Sequence, residues 1–167
     1  WWFLIGLFIR AAAAQSYQQL IARRSLEGVR VRRFMNVGPV AVPPDLPVER
    51  LIDDYILDRR LKMLPVVEDG RLLGSVSLAQ IRDRPREEWA RLLVRDVLRA
   101  RSPENTVPPE MPAAQALALM QRTGNSRLMI AEGDRLVGIV SLRDMMSYLA
   151  LRMELDESRP LEGANGG

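Results

Sequence analysis

Residues 138–144 read Gly138-Ile-Val-Ser-Leu-Arg-Asp144, and residues 74–80 read Gly74-Ser-Val-Ser-Leu-Ala-Gln80. Gly74, Ser77 and Leu78 recur as Gly138, Ser141 and Leu142, at a constant offset of 64. Outward from this string, further blocks recur in the same order. Val31-Arg-Arg-Phe-Met35 matches Val94-Arg-Asp-Val-Leu98, and Val42-Pro-Pro-Asp-Leu-Pro47 matches Val107-Pro-Pro-Glu-Met-Pro112. Residues 64–77 then match 128–141, and the offsets drift only between 63 and 65, as small loop insertions would produce. Self-similarity at a fixed period marks a duplicated structural unit.

Each copy has the same anatomy. The Pro-Pro-acid turn leads into an amphipathic helix, with Val48, Leu51, Ile52, Tyr55 and Ile56 at helical spacing in the first copy. Ala113, Ala116, Leu117 and Met120 repeat the phase in the second, and Gly124-Asn125 ends that helix. Two short apolar runs follow, 64–67 and 72–77, joined through Asp69-Gly70, a strong hairpin signal; Glu132-Gly133-Asp134 serves the second copy. A helix closes each unit, with Leu142, Met145, Met146, Leu149 and Met153 on one face of the second.

The predicted order is β-α-β-β-α, twice: an α/β (α+β) fold of two repeats. At about 50–60 residues neither repeat buries much core alone, so the two are expected to pack as one pseudo-symmetric module. The expected divisions are 1–28 for a membrane-exit and juxtamembrane helix, 29–84 for the first repeat and 94–153 for the second. Residues 85–93 form a linker helix opening at Pro85-Arg-Glu-Glu-Trp89, and 154–167 a polar, Gly-rich, disordered tail.

Composition narrows the chemistry. The chain has no cysteine and no histidine, which excludes disulfides, thiol chemistry, His-Glu-x-x-His zinc sites and Ser-His-Asp triads within it. The formal net charge is +3, but residues 10–33 hold six arginines against one acid, leaving a slightly acidic body. Such a body, without a basic stripe interleaved with aromatics, is a poor nucleic-acid surface, and no nucleic-acid partner is expected.

Residues 1–9, Trp1-Trp-Phe-Leu-Ile-Gly-Leu-Phe-Ile9, are apolar throughout and end at Arg10. A spanning helix needs about 20 such residues, so the run reads as the end of a transmembrane helix, continuing as a helix to near Gly28. The competing reading is a short hydrophobic helix packed on its own domain or on a partner. Arginines just beyond an apolar run place that side in the cytoplasm, and residues 1–24 are expected to hold the chain at the membrane.

The duplicated unit, opening Val-x-x-hydrophobic-Met/Leu and ending Gly-h-h-Ser-Leu-x-x, resembles a tandem pair of CBS (cystathionine-β-synthase-type) domains over residues 31 to about 152. The segment Gln15-Ser-Tyr-Gln-Gln19 followed by this pair and its Pro-Arg-Glu-Glu-Trp linker is similar to the C-terminal region of site-2-protease-type intramembrane zinc metalloproteases. The protease's zinc motif needs histidines, so only a non-catalytic regulatory tail is present in this chain. A channel or transporter is the other expected owner of such a tail, and a homodimer the expected assembly.

The resemblance implies two clefts that take AMP, ADP, ATP or S-adenosylmethionine. In the family's Gly-h-x-Thr/Ser-x-x-Asp motif the carboxylate takes the ribose hydroxyls and the hydroxyl side chain approaches phosphate, as a diol and a helix N-terminus respectively favour. Carried over, Ser141 and Asp144 supply one cleft, with Arg127 for phosphate and Val40, Val42, Pro65 and Val66 as its wall. The second cleft holds Thr106, Ser77 and Gln80. Family sites combine one repeat's Asp with the other repeat's early strand, so Asp144 faces Ala41 while Thr106 faces Gln80, and each cleft holds half a motif.

A ligand-free explanation covers both strings: Ser-x-x-acid and Ser-x-x-Gln are helix capping boxes, each worth about 0.5–2 kcal/mol. On that reading the pair is a dimerisation or docking scaffold. Asp53, Asp54 and Asp58 read as a solvated helix face opposite the apolar stripe, and no metal ligands are expected.

Overall fold

A 3-10 turn at Val31–Phe34 leads into strand β1 (Asn36–Val37) in the computed structural model, which describes residues 26–157. Helix α1 begins as an α-helical turn at Val48–Arg50 and widens into a π-helix at Leu51–Leu57. Strands β2 (Met63–Glu68) and β3 (Arg71–Ser77) form a hairpin that runs into α2 (Leu78–Arg82). A 3-10 turn at Arg86–Arg91, helix α3 (Val94–Val97) and strand β4 (Arg99–Ala100) connect the repeats. The second repeat continues through β5 (Thr106–Val107), α4 (Ala113–Thr123), β6 (Arg127–Glu132), β7 (Arg135–Ser141) and α5 (Leu142–Glu157).

Both hairpins turn through two residues, by different means. Asp69 and Gly70 both have positive φ (50° and 76°), the type I′ pattern, whereas in the second turn Gly133 alone is positive, at 59°. No atom lies within 4 Å of where a Gly133 Cβ would stand, so a side chain there meets conformational strain and no clash. Gly133→Ala is expected to destabilise the protein by about 1–2 kcal/mol, read from the urea midpoint at unchanged m-value.

The opening segments do not join their own repeats. β1 pairs antiparallel with β7 (Asn36↔Ile139, Val37↔Gly138), and β4 pairs with β3 (Gly74↔Ala100, Ser75↔Arg99). The sheets therefore run β1-β7-β6-β5 and β2-β3-β4, each completed by the opening segment of the other repeat. The cores follow the same exchange. Val31 and Phe34 pack with Val107, Met120, Ile130 and Met145 of the second repeat, while Val94 and Val97 pack with Val48, Leu51, Leu64 and Val76 of the first. The blocks 31–35 and 94–98 thus open their repeats in the chain while packing against the other repeat.

The doubled glycines make the exchange physically feasible. A Cβ on Gly74 would stand 2.1 Å from the Arg99 carbonyl oxygen, and one on Gly138 would stand 3.0 Å from that of Asn36. Each incoming strand occupies the space a side chain would need. The two hairpins meet through Leu72, Met129 and Ala131. There the Leu72 N–H donates to the Asp134 carbonyl at 2.7 Å, and the Asp134 carboxylate takes both Arg71 and Arg101 at 3.2 Å.

Two further expectations change. The first-repeat helix is not a regular amphipathic α-helix: Asp58 N–H reaches the Asp53 carbonyl at 3.2 Å, an i→i−5 bond, and of the apolar stripe Val48 and Leu51 are buried while Ile52, Tyr55 and Ile56 are half-buried. At the C-terminus, α5 runs to Glu157, so the first residues of the expected tail are helical. Of the membrane-exit and juxtamembrane helix expected over 1–28, residues 1–25 lie outside the described residues and 26–28 form a turn; residues 158–167 also lie outside. Leu26, the first described residue, is buried in the second repeat's core, and among the described residues no helix is long and apolar enough to cross a membrane.

Candidate functional site

Each copy of the doubled string passes from a strand into a helix, and its serine closes the corner. Ser77 N–H and Oγ–H both donate to Gln80 Oε1, at 2.7 and 2.6 Å. In the second copy Ser141 Oγ–H donates to Asp144 Oδ2 at 2.6 Å, and Asp144 N–H donates back to Ser141 Oγ at 3.2 Å. Both strings are therefore helix caps, in keeping with their local spacing.

The last residue sets the two corners apart chemically. Gln80 Oε1 has both lone pairs engaged, which leaves the amide's two N–H donors for anything outside. Asp144 has one bonded oxygen and one open one, and its side chain is exposed. A carboxylate with free lone pairs can accept from both hydroxyls of a vicinal diol. The Gln80 corner donates and the Asp144 corner accepts.

The residues expected beside Asp144 are only partly there. Val42 and Val66 are 1% and 0% exposed, locked in the first repeat's core, with Pro65 buried between them in sequence and hydrogen bonding. Val42 N–H donates to the Pro65 carbonyl at 2.9 Å and Val67 N–H to the Val42 carbonyl at 3.0 Å, so this wall is backbone, not side chain. Of the four, only Val40 presents its side chain to solvent. Arg127 has its Cα opposite Ser141 in the β6–β7 ladder, yet it lines the other cleft, with Ser77 and Gln80.

That cleft, about 320 Å³, lies between the repeats. Lys62, Arg99 and Arg127 supply its cations, and Ser75, Ser77 and Ser126 its hydroxyls; no carboxylate lines it. Thr106 is displaced from its expected role. Its hydroxyl donates to Asn105 Oδ1 at 2.8 Å, and Asn105 is the residue that faces the cleft. Asn105 also accepts from Ser102 N–H at 2.8 Å and donates to the Ala100 carbonyl at 2.9 Å, which fixes the loop between β4 and β5.

Lys62, Arg99, Asn105 and Ser126 carry no motif, and sequence reasoning missed them. Arg99 reaches the cleft only because β4 crosses to the first repeat's sheet, and its position directly after the matched Val94–Leu98 block was the available signal.

The CBS domain family model matches residues 31–87 and 94–151. Among proteins of known sequence, the chain is 33% identical over 150 residues to the putative zinc metalloprotease Rip3 of Mycobacterium tuberculosis, spanning 87% of this chain and 37% of that protein. It is 28% identical over 157 residues to the zinc metalloprotease MJ0392 of Methanocaldococcus jannaschii, spanning 92% of this chain and 43% of that protein. The chain thus spans less than half the length of these relatives. Among solved structures, the CBS domain of a bacterial CNNM/CorC family Mg²⁺ transporter in complex with ATP superposes with a TM-score of 0.67 at 20% identity, covering 81% of this chain and 97% of that one. CBSX2 in complex with AMP gives 0.63 at 22% identity, covering 76% and 99%.

Proposed function

This chain belongs to the CBS domain family, and we propose that it is the regulatory CBS pair of a longer, membrane-anchored zinc metalloprotease of the site-2 type, sensing an adenosine-containing nucleotide at the Asp144 cleft. The observation that carries the reading is the Asp144 carboxylate. It is placed by its own helix cap, is exposed, and keeps an open acceptor edge of the kind a ribose diol needs. The similarity to two zinc metalloproteases supports the owner, and ATP and AMP in the similar CBS structures support the ligand class. The arginines after the apolar run support a cytoplasmic position for the pair.

A signal from Asp144 has a short path to the rest of the protein. Tyr148 lies one turn along α5, and its ring meets Phe34 edge-to-face with centroids 5.0 Å apart. Phe34 and Leu26 belong to the segment through which the upstream chain enters the second repeat's core. A nucleotide shifts this arrangement only by as much as it binds one geometry better than another. Homodimerisation is the second reading, favoured by Leu151, Met153 and Leu155 standing 61%, 45% and 71% exposed on α5.

Thermal melts of the full chain with AMP, ADP, ATP and S-adenosylmethionine test the proposal. At least one is expected to raise the melting temperature saturably, by the equivalent of about 2.7 kcal/mol at a hundredfold excess over Kd. Asp144→Ala is expected to abolish that shift. Four flat titrations at millimolar ligand would leave the scaffold reading standing alone.

A further inference from the structure

The two repeats differ by one residue in one helix. Val42-Pro-Pro and Val107-Pro-Pro stand 65 apart, whereas Leu64 and Leu128 stand 64 apart, so the first copy holds one extra residue between these points. The helix starts match at the larger offset: Val48 and Leu51 are buried, as are Ala113 and Ala116. The helix ends match at the smaller one: Arg60 and Gly124 are both left-handed, with φ of 55° and 72°. The extra residue therefore lies within α1, where Leu51–Leu57 is a π-helix and Asp58 N–H reaches the Asp53 carbonyl at 3.2 Å.

A step of one residue inside the helix places Val48, Leu51, Ile52, Tyr55 and Ile56 opposite Ala113, Ala116, Leu117, Leu119 and Met120, the buried residues of α4. Asp53 and Asp54 are then left opposite a single residue, Ala118, which is exposed. A regular α-helix through the whole segment would instead carry Asp54 into the place of Leu119. That place is buried, and an ionised carboxylate enters it only at high cost. The π-turn keeps Asp54 outside, on Arg50 at 3.2 Å, and keeps Tyr55 and Ile56 against the first repeat's core.

We propose that this segment is a conformational joint: the surplus residue, stored as a π-turn, lets the end of α1 open while its beginning stays in the core. Single π-turns are rare and occur mostly at functional sites. The end of the helix is held loosely. Arg60 takes a left-handed conformation that disfavours a side chain, where the second copy uses glycine, and Leu57 is 64% exposed. Leu61 N–H reaches back six residues to the Tyr55 carbonyl, at 3.2 Å.

The joint feeds directly into β2. Its first residue, Met63, packs against Leu72, Met129 and Ala131, where the hairpins of the two repeats meet. Opening at the end of α1 is thereby carried to the seam between the repeats. The device needs no ligand and uses none of the Asp144 residues.

Native-state hydrogen exchange of the full chain reads the joint. Amides of residues 55–58 are expected to exchange at least about tenfold faster than their counterparts at 119–122, because local opening sets their protection. Deletion of Asp53 removes the surplus residue and returns α1 to a regular register. The ratio is then expected to fall to about one, the Met63 amide to gain protection, and the urea midpoint to rise at unchanged m-value. Deletion of Ala118 is the control: it turns Leu119 and Met120 by about 100° out of the core, and the midpoint is expected to fall. Equal protection of the two helices in the parent protein overturns the proposal. So does a midpoint that falls on deletion of Asp53, or a Met63 amide that does not respond to it.

Discussion

Gly74→Ala is expected to cost about 3 kcal/mol or more, because it makes the closest approach of an added Cβ among the described glycines. The new Cβ would stand 2.1 Å from the Arg99 carbonyl oxygen, 2.9 Å from its carbon and 3.0 Å from Ala100 Cα. All three are backbone atoms, so no rotamer change relieves the overlap and β4 itself must retreat. Its retreat breaks the Gly74–Ala100 and Ser75–Arg99 pairs and draws Val94 and Val97 out of the first repeat's core. Against a total stability of about 5–15 kcal/mol, that loss is a large fraction.

Gly138→Ala is the internal control. Its Cβ meets the Asn36 carbonyl oxygen and Met35 Sδ at 3.0 Å, and the thioether can move aside. A loss of about 1 kcal/mol is expected there. Guanidinium titrations of the two variants decide the matter: equal midpoints would show that the close approach of β4 to Gly74 is not what holds the exchanged strand.

The contrast between these glycines shows what sequence reading can reach. Local features were legible because their partners lie within a few residues: the Ser77–Gln80 and Ser141–Asp144 caps, the Asp69-Gly70 turn, and the left-handed Gly124 that ends α4. The strand exchange was not. A matched block at the start of a repeat carries no local mark of the sheet it joins, and only the space above Gly74 and Gly138 shows that sheet.

The misplacement of site residues has the same origin. Val42 and Val66 have the composition of a pocket wall, but a parallel bridge between them turns both side chains into the core. Arg127 opens β6 opposite Ser141 but lines the other cleft, which Lys62 and Arg99 reach from elements with no motif of their own. The Ser141–Asp144 cap was legible because it is local, whereas the cations beside Ser77 and Gln80 were not, because they come from both repeats.

Phe34→Ala carries the exchange to its functional consequence. Phe34 is 9% exposed, and its truncation is expected to cost about 3–5 kcal/mol. Phe34 opens the first repeat in sequence, yet its ring packs in the second repeat's core and against Tyr148. Hydrogen exchange under native conditions should therefore show amides of β6 and β7 losing protection more than those of β2 and β3, because opening is local to the body that lost the contact. The reverse pattern would mean that the segment stabilises its own repeat and that the exchange of cores is unimportant.

The same variant separates binding from transmission. Asp144 and its cap with Ser141 do not touch Phe34, so nucleotide affinity should survive in the fraction that stays folded. In the parent protein AMP should raise protection at Val31–Phe34, through α5 and Tyr148; in Phe34→Ala that response should vanish while the melt still shifts. Ligand binding that continues to order the entry segment without the Phe34 ring would place the coupling elsewhere than the Phe34–Tyr148 contact.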